Sequence, residues 1–185
     1  FYASSEGASG YPAATGIGTQ HGGILVDFNA VKGGIEIIPL DNDWQRAAHV
    51  YSDEVLISHR TDAEKGTPKF ERGKSLSDHQ QEMIYISGTA AIRGEESIVT
   101  GDVLVQTEIT LENIQHLIGL EEGREKLPEH SGKLELLRVY LKHEEDAKIV
   151  KEDMDKLCPD VPIVYLYADV CREELLVEIE GIAYL

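Results

Sequence analysis

Two acids, one residue apart, stand in the last eleven residues of the chain. Leu175–Leu185 reads LLVEIEGIAYL, and its β-forming residues predict a strand that carries Glu178 and Glu180. Strand side chains alternate between faces, so both carboxyls project from one side, and Val177, Ile179 and Ile182 are expected on the other. Two readings follow. On a solvated face, glutamates are ordinary. In a pocket, burial and a like charge two residues away raise one carboxyl toward neutral pKa, the range of a general acid, and Glu178 is the candidate.

Other reactive side chains are sparse. The two cysteines, Cys158 and Cys171, form no CxxC pair and no Cys/His cluster of zinc spacing. The seven histidines form no HExxH pattern, so no metal is expected. Cys171 precedes Arg172, a cation able to lower a thiol pKa. No histidine lies in sequence reach to act as its base, which argues for a small packed side chain over a nucleophile. An anionic ligand would need cations, and Arg60, Arg72 and Arg93 are the candidates, Arg72 foremost. Tyr85 and Tyr165 offer phenolic donors, and Ser87–Thr89 offers backbone N–H groups. Each has a plainer alternative, a solvated arginine or a packed tyrosine.

These residues need a scaffold, and 185 residues suffice for one good-sized domain, or for a domain plus an incomplete neighbour. The net charge of −17 disfavours nonspecific nucleic-acid binding, which depends on Lys and Arg neutralising phosphates, and also disfavours anionic membranes. No apolar run is long enough to span a bilayer, and no signal-peptide pattern is visible. Two cysteines at this count read as free thiols of a cytoplasmic protein. The opening FYASSEG, without methionine, reads as a trimmed form or the C-terminal part of something longer.

Residues 1–22, including GYPAATGIG, read as a loop. Residues 23–28 and 34–40 read as two strands joined by a hairpin turn at Lys32-Gly33-Gly34. Residues 41–68 are polar and hold the only tryptophan, Trp44. Strands are expected at 70–76 and 83–87. Asp102 then N-caps an amphipathic helix whose apolar positions are Val105, Ile109, Leu111, Ile114, Leu117 and Ile118. A strand at 134–141 precedes a second helix at 143–157, with a stripe of Ala147, Val150, Met154 and Leu157, ended by Pro159 and Pro162. Strands at 161–170 and 175–185 complete the chain. The order predicts an α+β fold, a mixed sheet with both helices packed on one face. A boundary near residue 68 would divide a 1–68 remnant from a 69–185 domain.

Four separated blocks occur in an order that resembles the Rid/YjgF family, also called endoribonuclease L-PSP: IYISGTAAI, GDVLVQTEITLENI, LELLRVYLKHEEDAKIVKEDMD and LLVEIEGIA. The resemblance covers roughly residues 70–185. It implies the chorismate-mutase-like fold and a homotrimer with clefts between subunits. The imine-hydrolysing members hold a substrate carboxylate with an arginine fifteen residues before the position of Glu178, which is Ile163 here. SGTAAI, YADVC and CREELLVEIEG further resemble the C-terminal half of chorismatases, which split chorismate into pyruvate and a cyclic acid. Residues 1–68 would then be the remnant of an N-terminal Rid-related portion. This resemblance implies that Glu178 protonates the substrate and that Cys171 helps set product type. It assigns a second such position to the small residue of GTAA, Ala90 or Ala91. Arg72, Tyr165, Cys171, Ala91 and Thr89 are the expected substrate-binding set. A small anionic metabolite, no metal and no organic cofactor complete the expectation. The alternatives are a Rid-type imine hydrolase and a noncatalytic trimeric domain that binds a small acid.

Overall fold

The computed structural model describes residues 10–19, 22–56, 66–78, 80–119 and 133–185. Six strands form one sheet: β1 (Glu36–Leu40), β2 (Gly73–Ser77), β3 (Glu82–Thr89), β6 (Lys133–Leu141), β7 (Ile163–Tyr167) and β8 (Val177–Tyr184). Their spatial order is β1-β2-β3-β8-β6-β7. All neighbours run antiparallel except β6 and β7, which are parallel. A small hairpin, β4 (Ile92–Arg93) with β5 (Glu96–Ser97), stands apart from this sheet. The expected α+β layout is present, and β8 lies in the middle of it.

Helix α1 (Val103–Gly119) starts where the sequence said, because the Asp102 carboxylate accepts the Leu104 N–H at 2.9 Å. Its buried face includes Leu111, Ile114, Leu117 and Ile118, whereas Val105 is exposed. Helix α2 (Ala147–Leu157) crosses from β6 to β7, as a parallel pair requires. Val150 and Met154 are wholly buried, but Leu157 turns outward and Cys158 takes its place in the core. Both helices pack on Ile84, Ile86, Leu137, Val139, Val177 and Ile179, residues that register places on one face of the sheet.

Alternation along β8 is regular, and it corrects one expectation. Ile182 pairs with Tyr85 and shares the face of Glu178 and Glu180, while Ala183 belongs to the core with Val177 and Ile179. Gly181 lies between β6 and the core, where an added Cβ would stand 2.5 Å from the Leu136 carbonyl. No larger residue fits that approach.

The predicted strand at 23–28 does not form. Ile24 is 93% and Phe28 78% exposed, and β1 hydrogen-bonds only to β2. Apolar β-formers make a strand only when a ladder partner is available, and here none lies beside β1. The hairpin at Lys32–Gly34 is therefore absent, although Gly34 does take a left-handed φ of 90°. No described helix is long and apolar enough to cross a membrane.

Candidate active site

The helix-free face of the sheet carries the candidate acids. Register with Tyr140 and Arg138 of β6 puts Glu178 and Glu180 on it, and Arg72 reaches the same face from the residue before β2. The bond from the Ser87 N–H to the Arg72 carbonyl continues the β2–β3 ladder and sets Arg72 opposite Ser87.

A β-bulge makes the pocket. On β3 the pairing steps from Ile86 with Gly181 to Thr89 with Ile179, so Ser87 and Gly88 together oppose Glu180. The Glu178 carboxyl occupies the space that a side chain on Gly88 would need. A Cβ there would fall 2.1 Å from Glu178 Oε1 and 2.8 Å from Thr15 Cγ2. Thr89 closes the bulge by donating its hydroxyl to the Ser87 carbonyl at 2.9 Å.

Residues 10–18 form a strap over this bulge. One end is tied where the Glu71 N–H donates to the Pro12 carbonyl at 2.9 Å and the Glu71 carboxylate accepts the Tyr11 N–H. The middle is tied where the Gly88 N–H donates to the Ala14 carbonyl and the Ser87 hydroxyl accepts the Ala14 N–H. The far end exchanges two backbone bonds between Gly18 and Asp169. Pro12 and the run of small residues suit a closely laid extended chain. The Thr15 hydroxyl is buried here without a partner among the described residues.

Under the strap Glu178 is 7% exposed. Desolvation, reinforced by the neighbouring Glu180 charge and opposed by Arg72, pushes its carboxyl up to about 7. Glu180 behaves differently, because its carboxylate accepts from Arg138 at 2.6 Å and from the Tyr140 hydroxyl at 2.7 Å. Glu178 thus holds its proton toward neutrality, whereas Glu180 is bound to an arginine and a tyrosine. Glu178 is therefore buried, not on a solvated face, and the two acids differ in environment.

Arg72 is 3% exposed. It donates to the Arg46 carbonyl at 2.6 Å and to the Tyr51 hydroxyl, and its Nε has no partner. No carboxylate pairs with it among the described residues. A buried cation without an anion is costly, and a carboxylate ligand would remove that cost.

The remaining expected residues separate. Cys171 is near the acid, since its thiol donates to the Gly16 carbonyl at 3.0 Å. Desolvation, then the Glu178 charge, push it up to about 11, so it stays a thiol at neutral pH. Ala91 is fully buried in a small cluster with Val170 and Leu175, the residues flanking the Cys171 turn. It supports that turn from below. Tyr165 does not join the site. Its register with Val139 and Ile179 places it on the helix-covered face, where its hydroxyl is buried with no partner among the described residues. The misplacement follows from spacing, because a β-sheet separates residues by strand order and face, which local sequence does not give. Ile163 also packs on the core, aligned with Leu137.

Arg93 lies elsewhere, stacked over Trp44 and paired with Glu112. Arg60 lies outside the described residues. No group of three or more potential metal-ligating His, Cys, Asp or Glu occurs among the described residues. Thr15 and Tyr51 were missed as site residues, and Gly88, expected to offer its N–H to an anion, instead donates it to the Ala14 carbonyl and makes room for the acid. The run GYPAATGIG was legible as a loop, but nothing local showed that it crosses β3.

No family model matches the chain. A chorismatase of Streptomyces rapamycinicus is 35% identical over 179 residues, 92% of this chain and 50% of that protein. A 3-hydroxybenzoate synthase of Streptomyces hygroscopicus is 33% identical over 93% of this chain and 50% of its own length. The chain therefore spans about half the length of the curated relatives it matches. A chorismatase crystal structure superposes with a TM-score of 0.70 at 28% identity, covering 94% of this chain and 51% of that one. An endoribonuclease L-PSP-like protein of Entamoeba histolytica shares the fold, with a TM-score of 0.54 at 13% identity, over 81% of this chain and all of that one. The fold is that of the YjgF/L-PSP proteins.

Proposed function

We propose that this chain, homologous to half of a chorismatase and built on the Rid/YjgF fold, is the acid-bearing portion of an enzyme that cleaves chorismate to pyruvate and a cyclic acid. The observation that carries this reading is the buried Glu178 carboxyl, pushed up to about 7 by desolvation, beside a buried arginine that pairs with no carboxylate among the described residues.

Chorismate is an enol ether with two carboxylates. In the proposed reaction the Glu178 O–H protonates the methylene carbon of the enolpyruvyl group, forming a C–H bond and an oxocarbenium centre. Water adds to that centre and gives up a proton to the Glu178 carboxylate. Collapse of the resulting hemiketal breaks the ether bond and releases pyruvate, the hemiketal proton passing to the departing ring oxygen. Arg72 would hold the carboxylate beside the reacting carbon, a task suited to a guanidinium fork. Cys171 would stay protonated and shape the wall next to the acid. Gly88 leaves the room that the carboxyl occupies. Ala91 and Thr89 would act at a distance, by supporting the Cys171 turn and closing the bulge.

The helix-free face also bears the exposed apolar side chains Val164 and Leu166, on which a trimeric or pseudo-trimeric packing would rest. The free thiols Cys158 and Cys171 suit a reducing cytoplasm. The division at residue 68 stays within this reading as a boundary of origin, since β1 from the first part adds to the sheet of the second.

The test is pyruvate release from chorismate by the intact protein, followed with lactate dehydrogenase and NADH, beside its Glu178→Gln variant. Release that disappears in the variant supports the reading. No release from folded protein removes it.

A further inference from the structure

Arg172 has no role in the reading above. Its Nη1 donates to the Glu95 carbonyl at 2.9 Å and to the Ser97 hydroxyl at 3.0 Å, which fixes the guanidinium on the β4–β5 hairpin. Both acceptors are neutral. The guanidinium carbon also stands 5.5 Å from the centroid of the Tyr51 ring. The Arg72 guanidinium stands at the same 5.5 Å from that same ring and donates to its hydroxyl. One aromatic ring thus carries two cations. Arg172 follows Cys171, whose thiol meets the strap that covers Glu178. Two guanidinium groups held around one tyrosine repel each other, and neither has a carboxylate hydrogen-bonded to it among the described residues, the Glu95 and Glu174 carboxylates reaching Arg172 only through space. A ligand with two separated carboxylates would give each guanidinium a charge-assisted hydrogen bond.

We propose that Tyr51, flanked by Arg72 and Arg172, forms the floor of a dicarboxylate site, in which Arg172 takes the carboxylate that Arg72 does not. This rests on the chorismate-cleaving reading and deepens it. Arg72, whose charge is felt by Glu178, takes the carboxylate next to the reacting carbon. Arg172 takes the ring carboxylate, and Tyr51 keeps the two guanidinium groups apart. Arg172 is therefore a substrate-binding residue that sets affinity and orientation, without part in proton transfer.

The experiment compares wild type, Arg172→Ala and Arg172→Lys of the intact protein, by pyruvate release and by calorimetric titration with chorismate. Removing one charge-assisted contact should raise KM and Kd about tenfold or more, and leave kcat within about threefold. Lysine keeps the charge without the fork and should recover part of that loss. Should the alanine variant not fold, Arg172→Gln carries the same comparison. Wild-type turnover with unchanged KM and Kd in the variants overturns this inference and leaves the proposed reaction standing. If wild type neither binds chorismate nor releases pyruvate, the proposed reaction itself falls, and this inference with it.

Discussion

Replacing Glu178 by glutamine should change how stability depends on pH, before any substrate is added. The carboxyl moves from 4.5 to about 7 on folding because burial disfavours its charged form. The native state therefore holds this proton to higher pH than the unfolded chain does. Between pH 4.5 and 7 the native state binds more protons, so stability falls as pH rises through this window. The destabilisation is absent below pH 4.5 and complete above 7, where a shift of this size corresponds to about 3 kcal/mol. Glutamine cannot ionise and lacks this slope. The difference in unfolding free energy, variant minus wild type, should be level in acid, climb through the window and level off again about 3 kcal/mol higher. Urea unfolding at closely spaced pH values from 4 to 8 measures it. The glutamine amide adds an offset of its own, but that offset does not titrate, so the shape of the curve decides. A flat difference across this range would refute the argument that Glu178 is desolvated, and the general-acid role would lose its physical basis.

Two other substitutions test the pocket's walls. Gly88→Ala puts a Cβ 2.1 Å from Glu178 Oε1 and must displace the carboxyl. We expect pyruvate release to fall about a hundredfold, with a stability loss of roughly 1–3 kcal/mol in urea. Tyr165→Phe removes a buried hydroxyl that has no partner among the described residues. Urea unfolding should give unchanged stability or a gain of about 1 kcal/mol, and the rate of pyruvate release should stay at the wild-type value, as the register on the helix-covered face requires.

What the sequence revealed was local, and what it concealed was spatial. Asp102 announced α1 through its type and the periodic run behind it, and the cap bond is there. Alternation in LLVEIEGIAYL put Glu178 and Glu180 on one face, and register agrees. Ile182 was assigned to the wrong face, although alternation itself sets it with the acids. Residues 23–28 were expected as a strand on composition, but a strand needs a neighbour to receive its backbone bonds. Tyr165 lies thirteen residues from Glu178 in sequence and two strands away on the opposite face. Thr15 meets the acid and Tyr51 meets Arg72 only after folding, and no local periodicity encodes such meetings. The bulge at Ser87-Gly88 was equally silent, because one extra residue in a β3 run leaves the run apolar and strand-like.

The strap over Glu178 bears on the order in which the molecule assembles. Its hydrogen bonds join residues that are very far apart along the chain, 155 positions in the case of Cys171 and Gly16. Such contacts repay the entropy of closing a long loop only after nearer pairings have brought the ends together. The sheet and its helices can form while residues 10–18 are still loose, and the strap then lies down on a finished surface. A lesion in the strap would therefore hasten unfolding and leave the folding rate almost unchanged. On this order of assembly the pocket would be the last part of the protein to come into being and the first to be lost.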